Sequence, residues 1–105
     1  MIPRPEHPRP DRMRAEWLNL NGEWDFKFDP GVSGYERNWE AGTSFDRKIV
    51  VPFCMESALG GIGHKDFMPA VWYRRTFSIP ESWKGSRVLF HVGACDFFTR
   101  VFING

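Results

Sequence analysis

Several broad classes are excluded by what this chain has little of. Its 105 residues hold two cysteines, Cys54 and Cys95. That is too few for a disulfide-stapled scaffold, and their placement fits no zinc motif. Cys54, His64, His91 and Cys95 could be drawn together around a metal, but their spacing matches no zinc signature, so no metal and no other cofactor is assigned. Charge of one sign is scarce. Fourteen basic residues against thirteen acidic ones leave a formal net charge of +1, which argues against nucleic acid and an anionic membrane as partners. No apolar run approaches the ~20 residues a membrane helix needs. The opening stretch MIPRPEHPRPDR has no apolar segment of the kind a secretory signal carries. The expected setting is the cytoplasm, with both thiols free; export with the signal removed is the alternative. Internal repeats, low-complexity tracts and amphipathic helical periodicity are also missing.

Aromatic residues, by contrast, are abundant at 16%, with ten Phe and five Trp. They favour strands and also line sugar-binding surfaces. A chain of this length makes one domain, with a core that is real but not generous.

Residues 1–16 read as a proline-rich arm, since four of the eight prolines fall among the first fourteen residues. Proline fixes φ and removes a backbone donor, so the arm is expected to be extended and laid along the surface. Residues 17–105 read as the folded part. Asn21–Gly22 is a turn signal. Trp24, Phe26 and Phe28 then alternate with Asp25, Lys27 and Asp29, the period-two pattern of a strand with one buried face. Residues 35–44 suggest one helical turn or an irregular loop. RKIVVPF is a strand closed by Pro52. Glu56 to Leu59 suggest a helical turn, and Gly60, Gly61 and Gly63 exclude regular structure after it. AVWYRRTFSI, RVLFHVG and FFTRVFING supply further strands, with Trp83 expected to pack back on the core. Trp17, Trp24 and Trp39 read as core or inter-domain contacts. Short strands separated by Gly/Pro turns predict an all-β, antiparallel sandwich or barrel. Asn104–Gly105 is a hairpin signal with no returning strand, so the domain is expected to be incomplete at its C-terminus.

Taken in order, four motifs resemble the N-terminal domain of glycoside hydrolase family 2, which includes β-galactosidases, β-glucuronidases and β-mannosidases. They are LNG-W-F at 20–26, VPF-ES at 51–57, VWYRR at 71–75 and V-x-NG within VFING at 101–105. The resemblance runs from Trp17 to the end. It implies a jelly-roll (galactose-binding-like) antiparallel β-sandwich, the sugar-binding domain, followed in such enzymes by an immunoglobulin-like domain and a (β/α)₈ barrel. The barrel carries the two glutamates of a retaining mechanism, ~5 Å apart. A barrel needs ~250 residues, so no catalytic residue is carried over to this chain, which is expected to be inactive alone. The implied partners are a β-glycoside and the C-terminal domains of the parent enzyme. A stand-alone carbohydrate-binding module, or a β-domain that associates with a second copy of itself, is the alternative.

The resemblance also implies that the loop at 60–69, before the VWYRR strand, approaches the sugar. Asp66 is then the best ligand candidate, because a carboxylate accepts from two hydroxyls, with His64 and Lys65 assisting. Trp72 could stack on a sugar face, although its strand position favours packing. The plainer expectation is that Asp66 caps a turn and His64 is exposed. Arg74 and Arg75 could bind an anionic sugar, but pairing with carboxylates such as Glu56 or Asp96 is the simpler expectation.

Overall fold

A computed structural model describes residues 2–6, 15–95 and 98–105. Three strands, β1 (Gly22–Phe28), β2 (Arg47–Val51) and β3 (Val71–Arg74), form one antiparallel sheet in the order β2-β1-β3. Among the described residues, two single turns of 3-10 helix, at Ala58–Gly60 and Glu81–Trp83, accompany them. Among the described residues there is no α-helix, and none is long and apolar enough to cross a membrane.

The alternation in β1 decides which side of the sheet is dry. Trp24 lies opposite Ile49, and Phe26 opposite Tyr73. Phe26 and Ile49 are completely buried. Phe26 meets Phe28 and Tyr73 edge-on, each at a centroid distance of 5.2 Å, the geometry that ring quadrupoles favour. Burying a side chain such as Phe26 contributes about 1.5–3 kcal/mol.

The other face carries Asp25, Lys27, Lys48, Trp72 and Arg74. Asp25 lies opposite Lys48 and Arg74, and Lys27 opposite Trp72. A smaller aromatic cluster grows there. Trp39 is buried, meets Trp72 at 5.7 Å and has the Lys27 ammonium 4.1 Å from its ring centroid. The segment that delivers Trp39 is an irregular series of turns, with Arg37 N–H donating to Ser33 O and Trp39 N–H to Gly34 O, both at 2.9 Å. Gly34 is required by close approach: a Cβ there would lie 2.5 Å from the Trp72 indole.

The proline-rich arm is described only at its two ends. The Pro3 and Arg4 carbonyls accept from the Asn21 side chain at 3.2 Å. Residues 7–14 lie outside the described residues.

Two expectations about strands are corrected. The strand expected over 70–79 stops at Arg74, where its pairing with β1 ends opposite Asp25; just beyond, the Arg75 guanidinium donates to Leu20 O at 2.6 Å and Asn21 O at 3.0 Å. Residues 87–93 and the described part of 97–105 form no strand. A strand exists only by pairing, and among the described residues nothing pairs with the outer edges of β2 or β3. Val88, Leu89, Phe90 and Val92 are accordingly exposed. Residues 86–95 and 98–104 instead wall an open hollow of about 3710 Å³ beside Tyr73, Phe77 and Trp83. The accessible surface is 8512 Å², against about 6,100 Å² for a compact protein of this mass. Trp83 is half-buried on its 3-10 turn rather than in the core. Asn104 and Gly105 have φ of 57° and 102°, the positive values a type I′ turn demands.

Candidate functional site

The loop at 60–69 leaves the Ala58–Gly60 turn, whose N-cap Ser57 accepts from Leu59 N–H at 3.1 Å. Gly60 is buried, and a Cβ there would meet Cys54 O at 3.0 Å. The loop is pinned at both ends. His64 N–H donates to Met55 O at 2.8 Å, and its imidazole sits 4.7 Å from the Phe28 ring, tilted by 49°. Beyond the tip, Asp29 N–H donates to Ala70 O at 3.0 Å. Both anchors therefore rest on the end of β1.

His64 is half-buried rather than exposed, and its Nε2 is enclosed without a hydrogen-bond partner among the described residues. Asp66 does not cap a turn: it and Lys65 are exposed and make no hydrogen bond or ion pair among the described residues. Phe67 follows, 86% exposed. His64, Lys65 and Asp66 thus stand together, with His64 as the root and Lys65 and Asp66 at the tip. Trp72 is not brought to them. Strand alternation sends it to the opposite face, where its ring stacks on Phe102 at 6.0 Å and 9° and its Nε1 donates to Asp29 Oδ2 at 3.1 Å.

Asp29 is the most enclosed carboxylate of the described residues. It is 2% exposed and accepts from Ser33 N–H at 2.9 Å and Gly34 N–H at 2.8 Å as well as from Trp72. Burial pushes its pKa up, but these donors outweigh burial and hold the carboxyl below its ordinary 3.8. Tyr73 shows the opposite balance. Burial raises its hydroxyl pKa, and the nearby Cys95, Cys54 and Glu56 add to the rise.

On the polar face, Glu23, Asp25, Lys48, Arg74, Arg75 and Thr76 line a cavity of about 170 Å³. Arg74 pairs there with Asp25, not with Glu56: its Nε and Nη2 donate to Oδ2 at 3.1 and 2.9 Å. Asp96 lies outside the described residues. Lys48 pairs with the other oxygen of the same carboxylate. With Arg75 held by backbone carbonyls, both arginines are occupied. Cys54 and Cys95 are free and exposed, and among the described residues no group of three or more His, Cys, Asp or Glu is placed to hold a metal.

Two residues of this arrangement were not singled out by sequence reasoning. Asp29 is signalled only by its place before Pro30–Gly31, where a carboxylate serves a turn. Phe67 carries no distinguishing signal, because an aromatic letter reads as core.

No family model matches the chain. It is similar to curated proteins named beta-glucuronidase. That of Paenibacillus borealis is 31% identical over 96 residues, covering 90% of this chain and 16% of the relative. Those of Felis catus and Canis lupus familiaris are 29% and 27% identical, each covering 94% of this chain and 17% of the relative. The chain therefore spans about a sixth of the length of the curated relatives it matches.

Proposed function

We propose that this chain is part of the sugar-binding domain of a family 2 retaining β-glycosidase, one that hydrolyses terminal β-linked sugars, β-glucuronides first among them. The observation that carries this reading is the similarity to beta-glucuronidases across 90% of the chain. The all-β sheet and the exposed apolar side chains of Val88, Leu89, Phe90, Val92, Phe98 and Val101 support it, because a jelly-roll sandwich would lay further strands against such a surface. On this reading the chain scaffolds a catalytic barrel carried elsewhere in the polypeptide and shapes its entrance. Asp66 and Lys65 contact the sugar from the pinned loop, His64 braces them, and Trp72 serves packing. With two free thiols, the protein suits the cytoplasm.

The test is an assay of the full-length protein on 4-nitrophenyl β-D-glucuronide, β-D-galactoside and β-D-mannoside, with the product anomer followed by NMR. Hydrolysis with retention is expected, and residues 1–105 alone should be inactive. A full-length protein that cleaves no terminal β-glycoside overturns the reading.

A second reading has its own observation. The exposed Val88, Leu89, Phe90 and Val92 and the edges of β2 and β3, unpaired among the described residues, would suit association with a second copy. Sedimentation across a range of concentrations tests it, and a strict monomer removes it.

A further inference from the structure

The two cysteines lie 41 positions apart in sequence and converge in space. Both line the open hollow beneath which Tyr73 sits. The Tyr73 ring belongs to the dry face of the sheet, where it meets Trp24 and Phe26 edge-on at 6.3 and 5.2 Å. After burial, the groups that raise the Tyr73 hydroxyl pKa are Cys95, then Cys54, then Glu56. The two sulfurs therefore flank one hydroxyl, and both cysteines are free and exposed.

Their backbones are held very differently. Cys54 sits in a fixed turn that follows β2. Phe53 N–H donates to Val50 O and Ser57 N–H to Cys54 O, both at 3.1 Å. Gly60 packs so closely on this turn that a Cβ there would meet Cys54 O at 3.0 Å. Cys95 ends a segment, residues 87–95, that makes no hydrogen bond to the sheet among the described residues. Its carbonyl accepts only from the nearby Thr99 Oγ1, at 2.8 Å. One thiol is thus anchored, and the other rides on a strip of chain with little to hold it.

We propose that Cys54 and Cys95 form a reversible disulfide across Tyr73, a redox-controlled strap that fastens residues 87–95 to the turn after β2. A disulfide needs Cα atoms about 4.4–6.8 Å apart, so the segment carrying Cys95 settles onto the anchored turn, and no hydrogen bond to the sheet opposes it. The oxidant is a small-molecule disulfide such as oxidised glutathione. The thiolate of one cysteine attacks its S–S bond, forming a mixed disulfide and expelling one glutathione thiolate. The thiolate of the second cysteine then attacks the protein-bound sulfur and expels the other. One protein disulfide forms, one glutathione disulfide is reduced, and the two protons shed by the cysteines end on the two glutathione thiols. A metal is not the better use of this pair, since no third His, Cys, Asp or Glu is placed to complete a site among the described residues. In a reducing compartment the strap stays open, and oxidative conditions close it.

The experiment treats the full-length protein with oxidised glutathione, blocks the remaining thiols with N-ethylmaleimide and maps the Lys-C peptides without reduction. A peptide pair linked through Cys54 and Cys95 is expected, and dithiothreitol should abolish it. In Cys54→Ser and Cys95→Ser the surviving cysteine should instead keep its glutathione, because no second thiol displaces it. The two single variants, mixed at micromolar concentration, test for a bond between copies. Linking in the parent protein should be at least about tenfold faster than in the mixture, because two thiols in one chain see each other at roughly millimolar effective concentration. Glutathione that persists on both cysteines of the parent protein overturns the proposal, as does linkage of either one to a different cysteine. Equal rates in the parent and the mixture also overturn it, since the bond would then join two copies.

Discussion

Trp72 and Asp29, 43 positions apart, are joined by a 3.1 Å hydrogen bond from the indole Nε1 to Oδ2. The same carboxylate takes the Ser33 and Gly34 N–H groups, so one buried anion ties β3 to the turn that follows β1. Removing its charge should be felt on both. Asp29→Asn is expected to lower stability by about 1–3 kcal/mol at neutral pH, since buried donors lose acceptor capacity. Urea unfolding followed by tryptophan fluorescence measures it, and parity with the parent protein would discard this account of the tie.

The direction of the Asp29 shift gives a pH prediction. Its folded pKa lies below the ordinary 3.8, because the three donors outweigh burial. A depressed carboxylate contributes stability that is fully present above the unfolded pKa and is lost as pH falls through the folded one. The gap between parent and Asp29→Asn should therefore narrow on the acid side of pH 3.8. A gap that stays constant from pH 7 to pH 2.5 would contradict it.

Gly34 sits where the two tryptophans of the polar face converge. A Cβ there would lie 2.5 Å from Trp72 and 2.6 Å from Trp39. These rings are held, Trp72 by Asp29 and Trp39 by burial, so neither can retreat freely. Gly34→Ala should cost about 1–3 kcal/mol through overpacking and should weaken the near-UV circular dichroism of the tryptophans. An unchanged near-UV spectrum and Tm would show that the rings can move.

Parts of this architecture are plain in the residues, and parts are not, for physical reasons. Trp24, Phe26 and Phe28 announce β1 because alternation has one structural meaning, and the sheet puts Phe26 in the core. Val88, Phe90 and Val92 alternate just as well, yet they form no strand. Alternation reports which side chains favour burial, not whether a neighbour is there to pair with. The length of β3 is hidden for the same reason: its pairing with β1 ends at Arg74, opposite Asp25, a limit set by a strand 46 or more positions away that no local pattern encodes. At the loop, a polar cluster after three glycines was visible. The inward turn of His64 was not, because it depends on Phe28 lying beneath it.

Asp25 binds Lys48 on one side and Arg74 on the other, crossing all three strands. Lys48 first and Arg74 second lower the Asp25 pKa, and Asp25 raises that of Lys48. The Asp25 contribution is lost as pH falls below 3.8, and the Lys48 contribution as pH rises above 10.5. Asp25 is half-buried, but the Lys48 and Arg74 side chains that reach it are exposed, and such surface pairs are weak and screened by salt. Asp25→Asn should lower Tm slightly in low salt and not measurably in 1 M salt. A loss that persists in 1 M salt would mean that the network is shielded from solvent.

His64 gives the loop its root, and the tip above it is open to proteases. Its ring contact with Phe28 and its backbone bond to Met55 are separable, because only the ring is removed in His64→Ala. Without the ring, the loop keeps only its two backbone bonds, His64 N–H to Met55 O and Asp29 N–H to Ala70 O, and opens more often. Endoproteinase Lys-C should then cleave after Lys65 roughly tenfold faster, the effect of losing about 1.4 kcal/mol of local packing. Cleavage after Lys84, on the separate 3-10 turn, serves as the internal control and should not change. Faster cleavage at both sites would indicate global unfolding, and an unchanged rate at Lys65 would show that the loop does not depend on the imidazole.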